Sequence, residues 1–329
     1  MGVKEFKYIF FWEWFHRIIG RSIGVIFFLP MTYFFARGYI MPHLRNVLIG
    51  MFALGGLQGA IGWWMVKSGL IDKKKTTEVD KTPRVSPYRL SVHAGNAYFL
   101  YGVCLWQTMN LLRRPQESVV NLKNLHANNV MRNSMRAITH GFLPIILLTG
   151  FFVAGISAGK SCNTYPMIGS SYFLNRNHLN ADIPLWQNFT ENKLVAQVNH
   201  RTLATAMTLL VSYKVVKFLR MPNLGFHAKF ASGLLMLAVW SQLGIGVTTI
   251  WEGAPIHLCS THQIGAMTVL SAFLFTMHTC RKIDPRHLKN LMGKLKHEDP
   301  EAFRRMTSTY NKNLLSKRQF EEIRQHGLR

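Results

Sequence analysis

A chain of 329 residues that is 48% hydrophobic and carries a formal net charge of +24 has a mean hydropathy of only +0.07, so it is not apolar on average. In a soluble protein that charge would point to nucleic acid. Here the apolar residues collect into runs of about 20 or more, the length that crosses a hydrocarbon core, and the basic residues fall mainly between and after them, so membrane lipid is the expected partner and nucleic acid is not.

Taken in chain order, the runs number about seven, at roughly 8–36, 46–70, 88–113, 136–158, 195–219, 227–250 and 256–280. The first begins almost at once, with no cleavable leader visible at Met1–Lys7, and carries Glu13, His16 and Arg17. The second holds Gln58 in Gln58-Gly-Ala-Ile-Gly62, and the third holds Arg89 and His93 in His93-Ala-Gly-Asn-Ala97. A connecting segment at 116–135 leads to the fourth run, and a long, weakly charged loop at 159–194 to the fifth, which carries Gln197, His200 and Arg201. The sixth holds Gln242 in Gln242-Leu-Gly-Ile-Gly246, and the seventh holds His262 in His262-Gln-Ile-Gly-Ala266. A basic, polar tail follows at 282–329, with helical stretches such as that from Pro300, placed on the inner surface against lipid or an assembly partner, or simply solvated.

The order is a repeat. His16 precedes Gln58 by 42 residues, and His200 precedes Gln242 by the same 42. The expected fold is therefore an all-α polytopic membrane protein of duplicated four-helix-bundle architecture. Residues 1–115 form the first repeat and 136–281 the second. The second repeat has a span ahead of its His200 helix, whereas the first has only about seven residues before its own, so the leading helix of the first repeat is read as absent. With seven spans the termini lie on opposite faces. Arg37 and Arg45, Arg113, Arg114, Lys123, Arg132 and Arg136, then Lys217, Arg220 and Lys229 share a side with the basic tail, while Lys73–Lys75 across the membrane are diluted by Asp72, Glu78 and Asp80. The positive-inside rule puts the tail inside and all four repeating histidines in the outer half.

A histidine within a span is costly and marks a ligand, a proton path or a partner. Two imidazoles on facing helices are a common way to hold a haem iron from both sides, and Gly20, Gly59, Gly62, Gly95, Gly244, Gly246 and Gly265 would admit a flat macrocycle or a neighbouring helix. Glu13 lies three residues before His16, on the same helix face; the equivalent place before His200 is the neutral Gln197. A buried carboxylate invites proton transfer, which makes the first pair the reactive site and the second an electron-handling one. Arg17, Arg89 and Arg201 could meet haem propionates or snorkel to the interface. His140, His257 and His278 lie near spans but do not fit the repeat. The four cysteines contain no Cys-x-x-Cys, which argues against a disulfide framework or a zinc site. Cys104 and Cys280 read as small apolar helix residues, and pairing of Cys162 with Cys259 stays open.

Several motifs in order carry a resemblance: Glu5-Phe6-Lys7 with Glu13-Trp14-Phe15-His16-Arg17, then Gly62-Trp63-Trp64 to Leu70, and Pro83-Arg84-Val85-Ser86-Pro87-Tyr88-Arg89-Leu90. Val153-Ala154-Gly155 to Pro166, Asn199-His200-Arg201 and Thr261-His262-Gln263 complete it. Over about residues 4–281 the chain resembles the haem A synthase family in its mitochondrial form. The resemblance implies an eight-helix membrane oxidoreductase that converts the C8 methyl of haem O to a formyl group, making haem A for cytochrome c oxidase. It implies that His16 and His93 flank substrate haem O with Glu13 as the catalytic carboxylate, and that His200 and His262 ligate the iron of a haem b. It further implies a ferredoxin-type electron partner, haem O synthase and cytochrome c oxidase assembly factors as neighbours, and the mitochondrial inner membrane, with the tail in the matrix; homo-oligomerisation stays open. Two family features are missing, a leading helix with a Gly-Gly-x-Thr-Arg-Leu-Thr-type stretch and an outer-loop cysteine pair of bacterial members. The rival readings are a dihaem b-type electron carrier, an inactive truncated synthase and a repeat transporter.

Overall fold

The structure, a computed structural model, describes residues 2–71, 85–112, 122–221 and 224–281, together with Gly293, Lys296, His297, Pro300 and Glu301. The lysine cluster at 73–75 and nearly all of the tail lie outside the described residues. Among those described, the chain is helical: α1 (Val3–Ala36), α2 (Pro42–Ile71), α3 (Pro87–Leu112), α4 (Leu122–Ala137), α5 (Leu143–Gly155), α6 (Leu185–Glu191), α7 (Lys193–Leu219), α8 (Phe226–Trp251) and α9 (Ile256–Thr279). Six helical stretches are long and apolar enough to cross a membrane, so this is a multi-pass membrane protein. The third expected run does form a helix, α3, but Arg89, His93, Asn96 and Gln107 make it too polar to count among the six.

The fourth span starts earlier than its apolar run. Most of the segment at 116–135, expected as a connection, is helical from Leu122, and α4 continues through a π-helical turn at Ile138–Phe142 into α5. Pro144 explains the turn: it has no N–H for the carbonyl four residues back and its ring crowds that carbonyl, so the backbone widens just before it. The first part of this stretch is polar, as suits a helix that continues past the apolar length of its span, which apolar run length alone does not show.

Helix ends are set by local chemistry. Gly38, at φ +67°, closes α1 with hydrogen bonds from Gly38 N to Phe35 O and from Tyr39 N to Phe34 O, the pattern of a left-handed glycine stop. Gly253 does the same after α8, with Ala254 N bonded to Thr249 O, and Pro255 then opens α9. The α8–α9 hairpin is thus joined by four residues, 252–255.

The chain divides into two compact units. The first comprises residues 1–104, 147–161 and 173–197, the second 105–146, 162–172 and 198–329. In the first, Gly155 at the end of α5 lies so close to α3 that an added Cβ would stand 3.1 Å from Pro87 and Leu90. Tyr88 Oη donates to Glu191 Oε1 at 2.7 Å and pairs with Thr190 at 2.9 Å, tying α6 to α3. An asparagine ladder orders the long loop: buried Asn188 bonds Asn180 through both amide atoms, and Asn192 bonds His178 O, Asn188 and the first amides of α7. The second unit buries Met131, Met135, Val211, Val215, Phe218, Leu235, Val239 and Phe273. By contrast α1 presents Phe10, Trp12, Trp14 and Ile26 on its surface, which suits a helix whose solvent is lipid, since hydrocarbon does not drive such side chains inward.

Candidate functional site

The first unit brings His16 of α1 and His93 of α3 together, their ring centres 6.5 Å apart and their planes at 77°. The second unit does the same with His200 of α7 and His262 of α9, at 6.4 Å and 89°. Two separate units thus arrive at the same geometry. An imidazole nitrogen bonds a first-row metal at about 2.0–2.1 Å, and the ring centre lies ~1.1–1.2 Å behind it, so two imidazoles whose nitrogens face one ion from opposite sides have centres about 6.2–6.6 Å apart. Both pairs meet that span. Among the described residues no group of three or more His, Cys, Asp or Glu could hold a metal by itself. An iron between either pair would therefore draw its other donors from a macrocycle, and a haem fits this donor set.

Small residues make room for the rings. A Cβ on Gly62 would stand 3.0 Å from His93 Cε1, and one on Gly246 would stand 2.9 Å from His262 Cε1. Each ring therefore packs directly on the backbone of the neighbouring helix, and only glycine allows that approach. Gly20, Gly59, Gly95 and Gly244 have no atom within 4 Å of such a Cβ. The Nε2 of Gln58 donates to the His93 carbonyl at 3.1 Å and stands 3.4 Å from the ring's Nε2. Gln242 repeats this with His262 at 2.9 Å and 3.4 Å. The His200 ring hydrogen-bonds the Ile146 carbonyl, the kind of outer partner that fixes the orientation of a metal-binding imidazole.

The charged residues find protein partners. Glu13 accepts from Arg17 Nη2 at 2.7 Å and from its Nε at 3.0 Å, one turn along α1, and its side chain is 49% exposed. Arg89 donates to Trp64 O at 2.9 Å, with its guanidinium 4.6 Å from the Trp64 ring centre. Arg201 is buried and donates to Thr164 O at 2.7 Å and Met167 O at 2.8 Å, pinning the loop 162–172. Gln197, the neutral counterpart of Glu13, donates to Gly159 O at 3.1 Å.

All four cysteines are free. Burial pushes the Cys162 thiol up, but hydrogen bonds at the Thr164 side chain and at the Thr164 and Gly169 backbones, with the Arg201 charge, outweigh it and leave the thiol below its ordinary value. His278, outside the repeat, is buried at 3.0 Å from Asn110 Oδ1 in the second unit.

Sequence reasoning found the histidines and noticed the two glutamines only as markers of the repeat. It missed Asn96, which donates to Gln58 Oε1 at 2.8 Å. The signal was there: Asn96 lies three residues after His93, so both occupy one face of α3.

Paired imidazoles repeated in two helical units define the class by its donor set: a multi-pass membrane protein with two histidine pairs that flat iron macrocycles would fit. Sequence comparison narrows the class. The profile of a family described as cytochrome oxidase assembly protein (COX15-CtaA) matches residues 1–274, and the chain belongs to that family. A haem A synthase of Nitrosospira multiformis is 35% identical over 284 residues, covering 86% of this chain and 74% of the relative. The haem A synthase COX15 of Arabidopsis thaliana is 36% identical over 293 residues, with 88% and 62% covered. That of Homo sapiens is 33% identical over 290 residues, with 86% and 66% covered. The chain thus spans about three quarters of the bacterial relative and slightly less than two thirds of the plant and human ones. No solved structure matches.

Proposed function

We propose that this chain is a haem A synthase, an oxidoreductase that converts the C8 methyl group of haem O into the formyl group of haem A. The observation that carries the reading is the duplicated imidazole pair, each at the spacing one iron needs, in a family whose named relatives are haem A synthases. His16 and His93 bind and orient the substrate haem O, and His200 and His262 hold a haem b. Only the first pair has a carboxylate one helical turn away, Glu13, and this assigns it the chemistry. Haem b, when bound, supplies a one-electron redox centre for electrons leaving the substrate.

Turning a methyl group into an aldehyde takes one oxygen atom from water and releases four protons and four electrons, the electrons leaving through haem b to the electron partner; the reaction needs a group that accepts protons, and Glu13 is the carboxylate assigned to it here. Arg17 holds that carboxylate through two donors on one oxygen, which fixes its position on α1. The glycines behind His93 and His262 set how closely each ring packs on the neighbouring helix, and so where an iron held by it would lie. Arg89 and Arg201 stiffen the entrances of their helices through backbone carbonyls, leaving further N–H donors for propionates.

The proposal extends to the setting: the mitochondrial inner membrane, the basic tail in the matrix, a ferredoxin-type electron partner, and haem O synthase and cytochrome c oxidase assembly factors as neighbours. The test is to purify the chain in detergent, extract its haem, and identify it by chromatography with a reduced-minus-oxidised spectrum. Haem b with haem O, haem A or a hydroxylated intermediate supports the synthase. Haem b alone would favour an electron carrier, and no haem would remove the ligand assignment.

A further inference from the structure

The amides of Gln58 and Gln242 are oriented by chemistry. Each faces a backbone carbonyl, His93 O or His262 O, at 3.1 and 2.9 Å. A carbonyl only accepts, so the NH2 end of each amide must point to it. The same NH2 stands 3.4 Å from the ring Nε2 in both units. There it can meet only the lone pair, which places the ring proton on Nδ1 and lets the amide hold, in the empty site, the nitrogen whose lone pair an iron would take over. In both rings Nδ1 is buried and has no hydrogen-bond partner among the described residues. The usual restraint on a metal-binding imidazole, its second N–H bonded to an acceptor, is thus replaced in His93 and His262 by an amide on the ligating side.

The two clamps are not equal. In the first unit Asn96 Nδ2 donates to Gln58 Oε1 at 2.8 Å and lies 3.4 Å from Leu54 O, so ring, amide and second amide form one chain bridging α2 and α3. In the second unit the matching position, three residues past the histidine, is Gly265. A Cβ there would collide with Gln242 Oε1, and that oxygen is buried without a partner. The substitution therefore removes the donor that could lock the amide.

We propose that Gln58 and Asn96 are positioning residues that keep His93 set for a haem that arrives and leaves with each turnover, whereas Gln242 alone suffices for His262 because its haem is resident. This rests on the reading that the first pair takes the substrate. A site that empties must hold its ligand ring without help from iron, since otherwise each binding event would have to order it again. A resident iron orders its own ligand. The lock is found on the side where it is needed.

The test uses the full chain carrying haem b, with ferric haem O as the probe. Titrations on the parent, N96A, N96L, Q58L and Q242L are read by absorbance and by low-spin electron paramagnetic resonance. N96L keeps the volume of the side chain but removes its donor. N96A, N96L and Q58L are expected to bind haem O more weakly, because the ring is no longer set before the iron takes its lone pair, by about the 10–100-fold that loss of an outer-shell partner costs, and to change its low-spin signal, with haem b signal and melting temperature unmoved. Q242L is expected to change only the haem b signal. If N96A and N96L bind haem O like the parent with the same signal, the clamp is refuted while the function stands. If they lose haem b in equal measure, with a lower melting temperature, Asn96 is only structural and the proposal fails. A parent protein that takes up no haem O overturns the functional reading itself, and the lock with it.

Discussion

Replacing Gly246 with alanine tests, at one atom, the half proposed to hold haem b. The new methyl would stand 2.9 Å from His262 Cε1 and 3.5 Å from its Nδ1. Non-bonded carbons settle at about 3.5–4.0 Å, so the ring must retreat by about 0.6–1.1 Å. That is a large fraction of the ~2.0 Å between an imidazole nitrogen and its metal, and the retreat would also pull the ring and its backbone against Gln242, one turn earlier on the same helix as Gly246. Overpacking of this kind costs about 1–3 kcal/mol, which corresponds to about 5–150-fold in haem affinity. Gly244→Ala is the control, because its Cβ would meet nothing within 4 Å. Both variants gain the same helix propensity from alanine, so their difference isolates the contact with the ring. The assay is titration of iron protoporphyrin into haem-free protein, following the low-spin bands. G246A is expected to bind weakly and with a high-spin fraction, and G244A like the parent. Parent-like binding by G246A, or equal impairment of both, would refute the reasoning.

Further expectations follow from the same geometry. Ring planes at 77° and 89° should give ferric haems with strongly anisotropic low-spin resonance signals; ordinary rhombic spectra from both sites would show that neither pair ligates as arranged. Glu13→Gln should lower turnover of haem O by about 10²–10⁴-fold, the usual worth of a general base, with haem content unchanged, and full activity would remove Glu13 from the chemistry. Arg201→Ala frees the loop carbonyls of Thr164 and Met167 and should cost about 1.5–3 kcal/mol, read as a lower melting temperature and faster proteolytic cutting within 162–172. The Cys162 thiol ionises below its unfolded value, so its contribution to stability is present above the ordinary thiol range and lost as pH falls through the lowered value. Alkylation of Cys162 should accordingly begin at lower pH than for an unfolded thiol, and Thr164→Val should move that onset upward.

Much of this architecture could be read from the residues because the constraint was repeated. His16, His93, His200 and His262 stood out since a span tolerates few histidines, and the equal offsets to Gln58 and Gln242 showed that two units solve one problem. The helices themselves were visible as apolar runs, but their ends were not. The helical stretch from Leu122 depends on polar residues that continue a helix beyond the hydrocarbon, and a search for apolar runs stops short of it; the π-helical turn depends on Pro144 and lies within an apolar run that such a search passes over. The arginines were visible as charges, but their partners were not. Arg17 pairs with Glu13 one turn away, a contact that helical spacing allows, whereas Arg201 reaches carbonyls 34–37 residues distant that no local pattern reveals. Asn96 escaped notice because its role depends on Gln58, 38 residues earlier, and only the packing of α3 on α2 brings the two amides together.

The most direct test of the central claim is to supply haem O to membranes containing the chain, with an electron partner, and to identify the product haem by mass and by its formyl absorption. Haem A is expected, formed in amounts that fall together when His16, His93 or Glu13 is replaced. Recovery of haem O unchanged, from protein that nonetheless carries haem b and exchanges electrons, would contradict it and leave an electron carrier in its place.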